Sequence, residues 1–276
     1  MGRRLCVEGI AAGYGAGRPD VLRSLSLIAD AGKITVILGG NGCGKTTLLR
    51  AIQGSVPLTA GRIIYEDGED GEEGTVDLST LEVRRRASLV TTMPQEHTAV
   101  PGLCGLDRVE TAFYVSRGIF GRLAASDYEK IYSLADSFGI TELLGRELTA
   151  MSAGERQLIS LLRAAVQDTP VILFDEPASA LDFNNTGAFF SMLHELAGKR
   201  KIILAVLHDP TLALRHGDVL CLMREGTIQR LIDRGTTDFD ELENSLRRLY
   251  PRLRLNREPL FCYDEGTYMC PQQQEI

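Results

Sequence analysis

The sequence has no run approaching about 18 uninterrupted apolar residues, so no segment of it reads as a bilayer-spanning helix. Any link to a membrane must then run through a partner. The opening residues, MGRRLCVEGIAAGYG, lack the apolar stretch and small-residue cleavage site of a secretory signal, and a cytosolic location is expected. Basic residues are in the minority: 30 Lys and Arg face 37 Asp and Glu, a formal charge of -7. A nucleic-acid binder needs a basic surface to neutralise phosphates, so no nucleic-acid partner is expected. The six cysteines, Cys6, Cys43, Cys104, Cys221, Cys262 and Cys270, show no paired metal-ligand spacing and read as ordinary reduced thiols. A heptad run is also missing, which excludes a long coiled coil.

What is present is a globular composition: 276 residues, 44% hydrophobic and 24% charged, with room for a sizeable core. Residues 3–8 alternate as an apolar edge strand, and 21–28 repeat the period-two pattern. KITVIL at 33–38 predicts a strand covered on both faces; a glycine-rich stretch follows, then TTLLRAI at helical spacing. Residues 61–65 predict another strand, and the acidic run EDGEDGEEG at 66–74 predicts a solvated hairpin or disordered tip. From 105 to 144 apolar residues fall three and four apart, broken by Gly118, Gly121 and a start signal at Ser126-Asp127, which predicts a lobe of short helices. Helices at 155–167 and 187–197 alternate with buried strands at 171–174 and 201–207, and 218–223 with 227–231 make a hairpin. That alternation predicts an α/β layer architecture. Beyond 238 the text changes character, with one helix in ELENSLRRLY, a short strand in RLRLN and a frayed end.

Residues 39–47, GGNGCGKTT, satisfy G-x-x-x-x-G-K-[ST] through Gly39, Gly44, Lys45 and Thr46, in the order strand, glycine loop, helix. A triphosphate carries several negative charges that many donors must hold at once. Gly39, Gly40, Asn41, Gly42, Cys43 and Gly44 let successive backbone N–H groups turn inward, and the following helix adds its positive end. Lys45 can reach the β and γ phosphoryl oxygens, the Thr46 hydroxyl can ligate Mg2+, and Thr47 completes the loop. The Cys43 thiol, beside Lys45, is a candidate for redox sensitivity. A glycine-rich turn alone would be only a turn, and even the full pattern leaves kinases, GTPases and motors open.

The rest of the chain narrows this. Gln95 in VTTMPQE, MSAGERQ at 151–157, VILFDEP at 171–177, SALD at 179–182 and His208 in AVLHD follow the loop in order, and with them the chain resembles the ATP-binding cassette family along almost its whole length. The resemblance implies an α/β fold: a P-loop NTPase core with a parallel sheet, an antiparallel β subdomain and an inserted helical subdomain. It implies an ATP-binding domain over 1–235, with the helical subdomain at about 97–150, and a C-terminal extension over 236–276. ATP and Mg2+ are the expected cofactors and ATP hydrolysis the expected reaction.

Asp175, after four apolar residues, ends a buried strand beside the loop and can hold Mg2+ through water. Glu176 is the candidate general base, since a carboxylate near the γ-phosphate can orient the attacking water and take its proton. A lone histidine is more often structural; His208, closing a second core strand, matches the switch histidine that contacts the γ-phosphate. Gln95 matches the glutamine that senses Mg2+ and the attacking water. Tyr14, in a loop expected before the first hairpin, matches the aromatic that stacks on adenine. Ser152, Ala153 and Gly154, placed before a helix starting at Glu155, match the signature that receives the γ-phosphate of the opposite subunit. Asp182 matches the aspartate that faces the partner's phosphate loop. Ala153 departs from the family's glycine: at positive φ its methyl would cost about 1 kcal/mol or more, and lowered turnover is expected.

If the receiving serine and the phosphate loop belong to different active sites, the active form is a homodimer of C₂ symmetry with two nucleotides in the seam. LHDPTLALRHGDVLCLMREGTI, LRRLYPRLRLN and GLDRVETAFYVSRGIFGRL look like the ATPases of iron-siderophore, haem and cobalamin importers. That likeness implies integral membrane permease subunits, indirectly a solute-binding protein, and a place on the cytoplasmic face of the cell membrane. The motor of an exporter or of another importer would share every catalytic residue, although exporters commonly fuse it to spanning helices. Soluble cassette ATPases of repair or translation carry coiled-coil insertions or tandem cassettes. A module that only binds ATP would need neither Glu176 nor His208.

Overall fold

The computed structural model describes residues 2–15, 19–68, 74–93, 99–118, 121–178, 181–251 and 253. Gln95, Ser179, the middle of the acidic run, RLRLN apart from Leu253, Cys262 and Cys270 lie outside the described residues. In chain order the elements are β1 (Arg4–Ala12), β2 (Leu22–Asp30), β3 (Ile34–Gly39), α1 (Lys45–Gln53), β4 (Leu58–Glu66) and β5 (Thr75–Asp77). Next come α2 (Val83–Ala87), β6 (Val90–Met93), α3 (Gly105–Glu110), α4 (Tyr114–Arg117), α5 (Ala125–Ser137), α6 (Thr141–Leu144) and α7 (Ala153–Gln167). β7 (Val171–Asp175), α8 (Phe183–Gly198), β8 (Ile202–Val206), α9 (Pro210–His216), β9 (Val219–Arg224), β10 (Thr227–Asp233) and α10 (Phe239–Arg247) complete the order.

The strands form two sheets. One is antiparallel, in the order β2-β1-β4-β5; the other runs β10-β9-β3-β8-β7-β6. In the second, β9, β3, β8, β7 and β6 are parallel, and β10 closes one edge antiparallel to β9. Side chains alternate across a strand, so the large sheet feeds two cores. Ile34, Val36, Leu38, Ile172 and Phe174 join Leu161 of α7 and Phe189 of α8 in a cluster that continues into the helical lobe through Val109, Ile131 and Phe138. Ile37, Leu173, Leu204 and Met223 face the other way, onto Leu48 and Ile52 of α1 and onto Leu5, Ile10 and Leu25 of the antiparallel sheet. Each such burial stabilises by roughly 1.5–3 kcal/mol. β3 is buried at all positions and has a strand on each side, so the loop that leaves it starts from a tightly held strand.

The P-loop NTPase core, the antiparallel subdomain and the helical insertion are therefore present as expected. Several local readings change. β1 is not an edge: β2 and β4 flank it, and it runs on to Ala12. Its alternation fades near Gly9, where φ is 54° and the pairing register shifts, and its second neighbour lies some 60 residues away in the sequence. Tyr14 lies in the turn that joins β1 to β2 and not ahead of the hairpin. α5 starts at Ala125, because Asp127 reaches back from its third position to accept the Ala124 N–H at 2.8 Å. α7 and α8 begin at Ala153 and Phe183, earlier than their apolar periodicity indicates.

The described ends of the acidic run form a hairpin, with Glu66 opposite Thr75 and the Asp67 N–H donating to Gly74 O at 3.0 Å. After residue 236 the chain folds back onto the main body: Leu246 of α10 is fully buried in the helical-side core, with Leu249 and Leu253 beside it. Among the described residues no helix is long and apolar enough to cross a membrane.

Candidate active site

The loop at 39–47 owes its shape to the packing beneath it. A Cβ on Gly39 would lie 2.4 Å from Met223 O of β9 and 2.6 Å from Cys43 Sγ, so only glycine fits there. Gly44 is the N-cap of α1 at φ 105°, a left-handed conformation that glycine adopts without steric cost. No side chain caps this helix and no acidic residue stands in its first turn, which leaves its free N–H groups and positive end to an anion. Gly40, Asn41 and Gly42 are exposed, while Cys43 and Gly44 are buried. Lys45 is buried as well, and its Nζ donates to Gly39 O at 2.8 Å and Gly40 O at 3.1 Å. A cation held only by carbonyl oxygens keeps its full charge for a phosphate.

Thr46 Oγ1 donates to Asp175 Oδ1 at 3.1 Å, which ties the start of α1 to the end of β7. Burial raises the Asp175 pKa above the usual carboxylate value, the neighbouring Glu176 charge adds to the rise, and the Thr46 hydroxyl opposes it. Glu176 has a φ of 51°, which non-glycine residues adopt rarely and which clusters at functional sites. Its N–H donates to Val206 O at 3.2 Å, and its Oε1 is hydrogen-bonded to His208 Nε2. The parallel pairing of β3, β8 and β7 thus brings three strand ends together, and with them Lys45, Asp175, Glu176 and His208.

Tyr14 is half exposed, and its hydroxyl lies 3.2 Å from Thr47 Oγ1 and accepts from Arg50 Nη1 at 3.3 Å. Two residues of α1 therefore hold the half-exposed ring beside the phosphate loop.

Ser152 is the N-cap of α7. Its Oγ accepts from the Glu155 N–H at 3.1 Å, while Glu155 Oε2 accepts from the Ser152 N–H at 2.7 Å and Arg146 Nη1 donates to Glu155 Oε1 at 2.5 Å. Ala153 and Gly154 occupy the first turn and do not precede it. Ala153 is exposed and is not among the residues with positive φ, so the strain expected of its methyl is absent, and with it the physical reason for slower turnover. Gly154 is the constrained position, since a Cβ there would stand 2.6 Å from Asn185 Nδ2. Asp182 caps α8, with Oδ1 accepting from Asn185 N at 2.8 Å and Oδ2 from Asn185 Nδ2 at 3.2 Å. Among the described residues no hydrogen bond joins 152–154 to 39–47; the two helix ends are separate features of one chain.

A family model described as ABC transporter matches residues 22–179, from the start of β2 past the Glu176 turn. The chain belongs to the ABC transporter family. It is an ATP-binding and ATP-hydrolysing subunit of that family. The petrobactin import ATP-binding protein of Bacillus anthracis is 28% identical to it, over 92% of this chain and 88% of the relative. The phosphonates import ATP-binding protein of Nitratidesulfovibrio vulgaris is 32% identical, over 82% and 85%. A solved inward-facing transporter described as metal-chelate type shares 25% identity at a TM-score of 0.73, over 91% and 90% of the two chains.

In this ABC subunit the sequence reading passed over Arg50, Asn185 and Gln157. Arg50 left no signal because its partner Tyr14 is 36 residues away, and Asn185 because its contact with Gly154 comes from another helix. Gln157 did leave one: it is a polar residue within the apolar stripe of α7.

Proposed function

We propose that this chain powers import of a metal chelate through a separate membrane permease, as a homodimer at the cytoplasmic face of the membrane. The petrobactin relative and the metal-chelate transporter structure support the cargo class. The phosphonates relative favours a second reading, import of a phosphonate by the same machinery. The observation that carries the chemistry is the convergence of Lys45, Thr46, Asp175, Glu176 and His208 at neighbouring strand ends.

In this reading the loop N–H groups and Lys45 hold the phosphates, and Tyr14 stacks on the adenine. Glu176 orients the attacking water and takes its proton, His208 contacts the γ-phosphate, and Gln95 is assigned by its place in the motif order to sensing Mg2+ and the water. Thr46 and Asp175 are hard oxygen donors 3.1 Å apart, and Asp175 adjoins a second carboxylate, a set that suits Mg2+. Among the described residues no group of three or more His, Cys, Asp or Glu forms a metal cage, so phosphate oxygens and water would complete the coordination. Held by Thr46 and Asp175, Mg2+ would supply positive charge against the phosphates. The Ser152 hydroxyl accepts one N–H and keeps its own O–H for donation to the nucleotide of the opposite copy, and Asp182 faces that copy's phosphate loop.

The test is the Glu176→Gln protein with Mg2+ and ATP. Turnover should fall by about 10²–10⁴-fold with ATP still bound, and light scattering should give about twice the 30.2 kDa of one chain. Undiminished hydrolysis removes Glu176 from its role, and a persistent monomer, alone and with the permease, removes the dimer. Cargo is read from which loaded solute-binding protein, ferric chelate or phosphonate, stimulates the ATPase of the assembled transporter.

A further inference from the structure

One buried side chain on α7 is polar where its neighbours are apolar. Gln157 is 1% exposed, beside Leu158, Ile159, Leu161 and Leu162. Its Nε2 donates to the carbonyl oxygen of Pro177, and its buried Oε1 has no hydrogen-bond partner among the described residues. A buried unpaired oxygen is unfavourable, so packing alone would select an apolar side chain of this length. What the amide holds is the residue after Glu176. The Glu176 turn, with its φ of 51°, is thereby fastened on one side to β8 through the Glu176 N–H and Val206 O, and on the other to α7 through Gln157.

α7 is the helix whose N-cap is Ser152, just over one turn from Gln157. Its first turn also presses on the Asp182 cap, because Gly154 sits against the Asn185 side chain that holds Asp182. One rigid helix therefore touches three features: the end at Ser152, the cap at Asp182 and the backbone beside Glu176.

We propose that Gln157 is a positioning residue, coupling the Ser152 end of α7 to the Glu176 turn, so that closure of one nucleotide site sets the carboxylate of the other. This rests on reading Glu176 as the general base and Ser152 as the group that meets the second copy's nucleotide. When α7 shifts against that nucleotide, Pro177 O follows the Gln157 amide and Glu176 follows Pro177.

Gln157→Met keeps the length and removes the donor. Its kcat should fall about tenfold, with KM for ATP within about twofold of the parent protein and the Hill coefficient for ATP lowered towards 1. The Tm should change little, because the unpaired Gln157 oxygen is gone while Pro177 O loses its donor. Gln157→Leu should show the same split. A kcat within about twofold of the parent overturns the proposal. So does a lowered Tm with normal kcat and KM, or loss of the fold in both variants, either of which makes Gln157 a packing residue. Glu176→Gln run alongside separates the two levels. If it still hydrolyses ATP, the underlying reading fails; if it is inactive while Gln157→Met is normal, only the coupling fails.

Discussion

The two helix ends that define this chain are built in opposite ways. α1 starts at a left-handed glycine with no side-chain cap and no acid in its first turn, and its first residue is the buried Lys45. α7 starts at a serine locked in a reciprocal pair with Glu155, which Arg146 holds in turn. The first end is an anion site waiting for its charge to be met. In the second, the Ser152 and Glu155 N–H groups are paired, and the Ser152 hydroxyl keeps its own proton for donation. A helix end that binds nucleotide unaided must be left uncapped, whereas one that only completes a site from outside can be stable before the nucleotide arrives.

The largest test of this contrast is at the uncapped end. Lys45→Ala removes the cation and leaves Gly39 O and Gly40 O without their partner; the ATP dissociation constant, measured by equilibrium titration, should rise about a hundredfold. Ser152→Ala should behave differently. ATP affinity of the single chain stays within about twofold, turnover falls about tenfold, and loss of the cap destabilises the fold by about 1 kcal/mol in chemical denaturation. A matching loss of affinity in both variants would erase the distinction between the two ends.

Acid should also separate them. The Ser152 N–H holds the Glu155 carboxyl below its ordinary range, with burial opposing and Arg146 assisting. A depressed folded pKa means that this contribution is complete above the ordinary glutamate value of about 4.5 and is lost as pH falls through the folded value. Amide exchange protection at 153–156 should therefore drop on acidification below that point while 45–48 lose less, and Glu155→Gln should abolish the difference. The smallest effect is expected of Ala153→Gly. Because Ala153 is exposed and not at positive φ, its rate should stay within about twofold of the parent, contrary to the slower turnover that the motif comparison predicts. A clear acceleration would show that the methyl does meet something across the proposed dimer seam.

Much of the site was legible because its signals are local. The glycines at 39 and 44 and the apolar strands ending in Asp175 and before His208 are each readable within a few residues. Helix starts were read too late at 153 and 183, since first turns are polar and apolar periodicity begins only once the helix meets the core. β1 was taken for an edge because nothing in its own residues announces β4.

What the sequence determined alone was therefore a phosphate loop, an order of motifs and an α/β alternation, all products of backbone sterics and side-chain period over short spans. Only the folded chain decided that Thr46 meets Asp175 across 129 residues, that Glu176 is bent to an uncommon φ beside His208, and that Gln157 reaches Pro177. Those contacts depend on strand order and on the seating of α7 over the sheet. Burial energy summed over the whole core sets both, and no single stretch of residues carries it.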